Sequence, residues 1–305
     1  MKIRNSVING ILYGCAGTCL AAWVPHDTQW MLDVDMQALN ASRIGSLVAE
    51  RVQRERPVVF EKVRVLTAAA GVNLQRDVTA LTVCGTGWAA SSTVSRVTGN
   101  QAFTQICRDR LGTALAVSSY GPYELFDWSK GPHRFAISQP DPGTLIVAES
   151  ARVKSVLDVY AGRRAACDLA RFRLFATSHK SSLVRFEVHD VATLFQHDSS
   201  PYGLVLRFLN TLDCVVSETN DQVRLIAHGV AATPEGAQQA AQVLQGVLAL
   251  VQLKETKSSS LRSALRAIQV EQEGTLVRCQ IALTIDQVQA LLNDDRPGSR
   301  TAVRR

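Results

Sequence analysis

A few short constellations in this sequence hold residue types that could do chemistry. Gly85-Thr86-Gly87-Trp88-Ala89-Ala90 matches G-x-G-x-x-A, the pattern that cradles a pyrophosphate where a strand turns into a helix. Ser91, Ser92, Thr93 and Val94 follow, and they favour extended chain over helix. Trp88 also puts bulk where the backbone must approach phosphate. The segment therefore reads as a hairpin loop without a dinucleotide. His189-Asp190 and His197-Asp198 have the composition of metal ligands. On a helix, the two pairs would lie about 12 Å apart along the axis, too far for one ion. Asp33 and Asp35 would face one side of a strand and could share a proton as an acid–base pair. Asp35 also stands where a helix needs its cap, and that reading is preferred.

Nucleophile signatures are missing. Neither G-x-S-x-G nor a serine with a lysine three residues on occurs, and His26, His133, His179 and His228 stand in no known signature. No catalytic residue, cofactor or metal is expected. A hydrolase-type site assembled from dispersed residues stays open as the alternative. One surface feature remains. Tyr120, Tyr123, Phe126 and Trp128 cluster in a stretch rich in turn glycines and could bind sugar, peptide or protein. Strand alternation would instead hide one set of them under a neighbouring helix.

The elements that must position these residues follow from periodicity. Trp30–Asp33 reads as a strand, and Asp35 caps a helix carrying Ile44, Leu47 and Val48 on one face. Pro57 opens a second helix with the stripe Val59, Val63, Leu66 and Ala70. Strands at 78–84 and 93–98 precede a helix capped by Asn100. A four-stranded meander over 114–148 follows, broken by Gly-Pro and Pro-Gly turns. Ser150 caps the next helix, with Val153, Val156, Leu157 and Tyr160 inward and Gly162 as its stop.

The second half repeats a strand–strand–helix unit. Strand 212–217 and the alternating run around Val223, Leu225 and Ala227 lead into a helix opened by Thr233-Pro234-Glu235, with Ala237, Ala240, Ala241, Leu244 and Leu248 on one face. Strand 267–271 and Val277 to Leu283 lead into another, opened by the capping box Thr284 to Gln287, with Val288, Leu291 and Leu292 inward. The expected fold class is α+β: antiparallel sheets with helices packed on one face, built from repeated ββα units in two similar halves. The expected domains are 23–165 and 166–295, with 1–22 as a signal segment and 296–305 as a basic tail.

Charge and cysteines narrow the partners. The chain of 305 residues carries a net charge of +6. Lys2 and Arg4 contribute two of these charges, and the tail arginines 296, 300, 304 and 305 contribute four. The body between is neutral, so nothing suggests a phosphate backbone as partner and nucleic acid is excluded. The first 22 residues read as an export signal, with a basic start, an apolar middle and Ala21-Ala22 before the cut. Leu12-Tyr13-Gly14-Cys15 also matches a lipoprotein box, which would place a lipid tether on Cys15. Cleavage, lipidation and an uncleaved anchor are the three readings. Cys84, Cys107, Cys167, Cys214 and Cys279 include no C-x-x-C pair, so buried free thiols are expected rather than zinc. One disulfide is possible in an oxidising compartment.

Three stretches resemble a known group. They are Trp23-Val24-Pro25 with Asp27-Thr28-Gln29, Leu32-Asp33-Val34-Asp35 and Ser42; Tyr120-Gly121-Pro122-Tyr123 through Trp128; and Leu157-Asp158-Val159 with Ala161-Gly162. Residues 23–165 thereby resemble a family of uncharacterised exported proteins of Acidobacteria-like and other Gram-negative bacteria. That family carries a repeated α+β domain of unknown function. The resemblance implies export and the α+β class, and it carries no catalytic residue. The resulting expectation is a periplasmic or envelope-anchored, non-enzymatic binding or assembly module with a protein partner.

Overall fold

The computed structural model describes residues 23–55, 73–87, 89, 93–176, 182–195, 200–254 and 258–294. The fold is α+β, with helices set against antiparallel sheet. The Cys15 lipidation site, the signal segment, the helix expected at 57–70, the His197-Asp198 pair and the basic tail lie outside the described residues.

In chain order the elements begin with β1 (Trp30–Asp35), α1 (Met36–Ala41), α2 (Arg43–Glu55) and α3 (Leu74–Asp77). Next come β2 (Val78–Gly85), β3 (Thr93–Gly99), α4 (Gln101–Ala114), β4 (Ala116–Tyr120), β5 (Tyr123–Lys130), β6 (His133–Asp141) and β7 (Thr144–Glu149). They continue with α5 (Ser150–Tyr160), α6 (Arg173–Ala176), β8 (Ser182–His189), α7 (Val191–Leu194), α8 (Pro201–Leu206), β9 (Leu209–Thr219) and β10 (Gln222–Ala231). The last are α9 (Pro234–Lys254), α10 (Ser259–Arg266), β11 (Gln269–Glu273), β12 (Leu276–Thr284) and α11 (Ile285–Asp294).

The chain forms two compact units, Met1–Asp33 with Thr67–Lys180, and Val34–Leu66 with Ser181–Arg305. Neither unit is one continuous stretch. In the first unit the strands lie in the order β1-β2-β3-β7-β6-β5-β4, and β4 to β7 form the expected meander. Antiparallel partners share a face and faces alternate along a strand. The ladder registers therefore put Cys84, Val94, Ile146, Ala148, Ala136 and Leu125 on one face. These side chains are buried, as are Val153, Val156 and Leu157 of α5, which packs on β3, β6 and β7. Each fully buried Val or Leu contributes about 1.5–3 kcal/mol of transfer free energy.

The ends of α5 show how local chemistry sets boundaries. Arg163 N–H donates to Asp158 C=O at 2.8 Å and Gly162 N–H to Val159 C=O at 3.0 Å, a Schellman pair around a left-handed Gly162 with φ +68°. Its start differs from expectation. Glu149 holds the cap position without a side-chain bond, and Ser150 Oγ lies 3.5 Å from Asp127 as first helical residue. The buried Asp127 carboxylate competes for that hydroxyl.

In the second unit the order is β8-β9-β10-β12-β11, again antiparallel. Asn220 and Asp221 both adopt left-handed φ, 51° and 60°, as a two-residue hairpin turn between β9 and β10 requires. The capping box closes as the spacing demands: Thr284 N–H donates to Gln287 Oε1 at 2.8 Å, and Gln287 N–H to Thr284 Oγ1 at 3.2 Å. Ala237, Ala240 and Ala241 of α9 are buried, while Leu250 and Leu253 near its end are exposed.

Asp35 does cap α1, accepting from Ala38 N–H at 2.8 Å. The single helix expected from there is broken at Ser42, which is extended (φ −88°, ψ 155°). Ser42 Oγ accepts from Gly45 N–H at 2.9 Å and starts α2 afresh. Only glycine fits at Gly45, because a Cβ there would lie 1.8 Å from Leu39 O. The Glu218 carboxylate completes the start of α2 by accepting from Arg43 and Ile44 N–H, each at 2.9 Å.

Candidate functional site

The four aromatics singled out from the sequence divide between the two faces of the first unit's sheet. Tyr120 pairs with Tyr123 across β4 and β5, so both share the α5 face. Phe126 and Trp128 lie three and five residues beyond Tyr123, odd offsets along β5, and share the other.

Three of the rings are held within the fold. Tyr120 O–H donates to the Asp158 carboxylate at 3.0 Å, and its ring lies 5.5 Å from Lys154 Nζ and 5.6 Å from Arg163 Cζ. Burial pushes the Asp158 carboxyl up, but bonds from Arg163 and Tyr120 outweigh it and hold the group below its ordinary value. Trp128 stacks on Phe135 with centroids 5.4 Å apart. Phe126 is 3% exposed.

Tyr123 remains half-buried at the mouth of a cleft of about 400 Å³. This cleft opens where β5 and β6 part. Their ladder runs from Lys130–His133 to Leu125–Ser138 and stops there. Pro140 follows on β6, and without an N–H it has nothing to donate to a further rung. Ser138 Oγ donates to Glu124 C=O at 2.8 Å and marks the end of contact. Its lining residues include Pro122, Tyr123, Phe126, Gln139, Pro140 and Pro142, with Gln105 and Arg108 of α4 on one side. A Cβ on Gly112 of the same helix would lie 3.8 Å from Phe126 Cε1, ordinary contact distance.

The polar groups of the cleft are fixed from behind. Arg108 and Glu124 pair at 2.8 Å with both side chains about half exposed. The Asp141 carboxylate accepts from Gly143 N–H at 2.9 Å and from Tyr160 O–H at 3.2 Å. Burial, opposed by the Arg96 charge, pushes the Tyr160 hydroxyl up to about 12, so it stays a donor to Asp141 across the neutral range. The lining thus sets prolines and aromatic residues beside polar groups held in place, and pre-positioned polar groups fix a ligand's orientation in a binding site.

The other candidates find structural roles. β2 and β3 pair from Gly85–Thr93 to Val78–Gly99, so Gly85, the first residue of the glycine motif, lies at the end of a hairpin strand. Asp33 is buried and accepts from Thr82 Oγ1 at 2.7 Å. His189 ends β8 rather than lying on a helix, with Nε2 3.3 Å from the Glu187 carboxylate. Asp190 follows in a left-handed turn (φ 54°) that the helical reading did not foresee.

The five cysteines are free. Burial pushes the Cys84 thiol up to about 12 and those of Cys167 and Cys214 up to about 11, away from thiolate chemistry. Among the described residues no group of three His, Cys, Asp or Glu could hold a metal ion, and no helix is long and apolar enough to cross a membrane.

One cluster escaped the sequence reading altogether. In the second unit Glu187, Asp213, His228, Arg278 and Glu271 stand opposite one another in register across five strands. His228 Nδ1 lies 2.9 Å from Asp213 Oδ1, and Arg278 3.8 Å from Glu271. Exposure climbs along this row from the buried Glu187 to Glu271. Only the register between distant strands brings these residues together, and no local spacing announces it.

No family model and no curated protein matches the chain. Solved structures do. The crystal structure of TP0453 in form III has a TM-score of 0.53 at 12% identity, covering 90% of this chain and 97% of that one. Crystal forms I and IV of TP0453 give TM-scores of 0.47 and 0.48, also at 12% identity, over 90% and 89% of this chain and 96% and 95% of theirs. The form III likeness supports the α+β fold and carries no function with it.

Proposed function

We propose that this chain is an exported envelope protein that works as a binding or assembly module, with the Tyr123 cleft as its contact surface. The observation behind this reading is the cleft itself. Proline and aromatic residues line it beside an Asp141 carboxylate already held by Tyr160 and Gly143. Such a site binds without reorganising and so loses little affinity to ordering. The partner would be another envelope protein. The N-terminus would be cleaved before Trp23 or tethered through lipid on Cys15.

The test joins mass spectrometry of the N-terminus with cross-linking in the cell. The expected outcome is a mature start at Trp23 or a diacylated Cys15, and a cross-linked partner that disappears with Tyr123→Ala. An intact chain from Met1 in the cytosol would end the export reading. An unchanged partner with Tyr123→Ala would end the assignment of the cleft.

A second reading, an enzyme of hydrolase type, draws on the Asp213–His228 pair, since a carboxylate bound to an imidazole is how a general base is oriented. His228→Gln should then abolish turnover of ester substrates by the purified protein. Residual turnover that survives this change would remove the reading.

A further inference from the structure

Resting on the cleft as a binding surface, the ligand class can be narrowed. We infer that the cleft takes an extended, proline-containing peptide segment with a basic residue beside the prolines. Three observations converge on this. The first is shape: the cleft lies where the β5–β6 ladder stops at Leu125–Ser138, so extended backbone from both strands borders it. One turn of polyproline helix, three residues and about 9 Å long, suits a gap of that kind.

The second is the surface. Pro122, Pro140 and Pro142 line the cleft together with Tyr123, so rigid pyrrolidine rings and an aromatic residue border it. Aromatic-lined grooves bind proline-rich segments because pyrrolidine rings fit them and the peptide arrives already ordered. The third is charge. Among the lining residues Glu124 and Asp141 stand against one cation, Arg108, so the lining itself carries one negative charge in excess. Asp141 is oriented by two donors, which leaves acceptor capacity for a guanidinium at the rim. An acidic peptide would meet that excess charge as repulsion.

The experiment titrates the full chain with an amidated hexaproline–diarginine peptide, followed by tyrosine fluorescence and by NMR. Saturable binding with a Kd below about 1 mM is expected. Tyr123→Ala should weaken it at least about tenfold, while Tyr123→Phe, which keeps the ring, should change it less than about twofold. Glu124→Gln should weaken it severalfold, and removing the two arginines from the peptide should have the same effect.

A glycine–serine peptide of equal length and charge that binds as well would overturn the inference. So would unchanged affinity in Tyr123→Ala, or no binding by protein whose circular dichroism is native. A neutral glucose hexasaccharide that saturates the site while the peptide does not would also overturn it. In these cases a partner still lost from cells with Tyr123→Ala keeps the binding-module reading alive, so the two failures are distinguishable.

Discussion

Gly229 sits in the middle of the second unit's sheet, and replacing it by alanine sets three effects against each other. The new methyl would lie 2.6 Å from Leu209 Cδ1, 3.0 Å from Cδ2 and 3.3 Å from Cγ. Leu209 is 4% exposed, so its branched end has no solvent to swing into. Burying one more methyl contributes about 0.8 kcal/mol. Restricting the unfolded chain contributes a further 0.4–1 kcal/mol or so. Overpacking a filled core costs about 1–3 kcal/mol. A contact roughly 1 Å inside the best carbon–carbon distance belongs at the upper end of that range.

Strain therefore wins, and Gly229→Ala should lose about 1 kcal/mol net, or roughly 2–4 °C of Tm. Urea unfolding followed by circular dichroism measures it. Leu209→Ala alone should cost about 2–5 kcal/mol. In the Gly229→Ala background it should cost at least about 0.5 kcal/mol less, because the vacated space accepts the new methyl. A higher urea midpoint for Gly229→Ala, or strict additivity in the double variant, would show that the close contact is not what excludes a side chain here.

Gly246 gives the opposite sign. Nothing lies within 4 Å of its would-be Cβ inside α9, so Gly246→Ala should raise stability by about 0.5–1 kcal/mol in the same assay. Leu157→Ala, at a fully buried site between α5 and the sheet, should cost about 2–5 kcal/mol by calorimetry; a loss under about 1 kcal/mol would contradict that packing. Asp77 is held below its ordinary 3.8 by the Arg76 guanidinium, the Asn73 N–H and the Asn100 amide. The unfolded chain takes up this proton first, so the carboxylate's contribution is full above about pH 4 and drains away as the pH falls further. Asp77→Asn should lower Tm by a few degrees at pH 7, and the gap should close in acid. Cys84, pushed up to about 12 by burial, should resist iodoacetamide at pH 8 until denaturant is added; rapid labelling of the native protein would contradict its burial.

What could be read from the sequence was mostly what short-range chemistry decides. The Asp35 cap, the Gly162 stop and the Thr284–Gln287 box each act within a few residues, and each forms the bonds its spacing implies. The break at Ser42 was missed because it needs Glu218, 176 positions away in the chain, to satisfy the start of α2. β8 was missed for a different reason. The His-Asp pairs drew attention to a helix, while Leu183, Arg185 and Glu187 alternating with Val184, Phe186 and Val188 was the available strand signal. The aromatic cluster was visible, but its split between two faces depends on pleat parity. Tyr123, Pro140 and Pro142 line one cleft only because β5 and β6 pair and then part. The charged row in the second unit depends on four registers at once.

The interleaving of the two units bears on how the chain can be made and cut. A ribosome delivers Val34–Leu66 well before Ser181–Arg305, so the second unit must wait through the synthesis of most of the first before it can close. A clone starting at residue 181 would deprive the Glu218 carboxylate of the two amides it binds. A clone ending at residue 180 would carry a stretch that belongs elsewhere. Truncations between the halves should therefore yield aggregating fragments, and the shortest useful expression span runs from the first segment to the last helix.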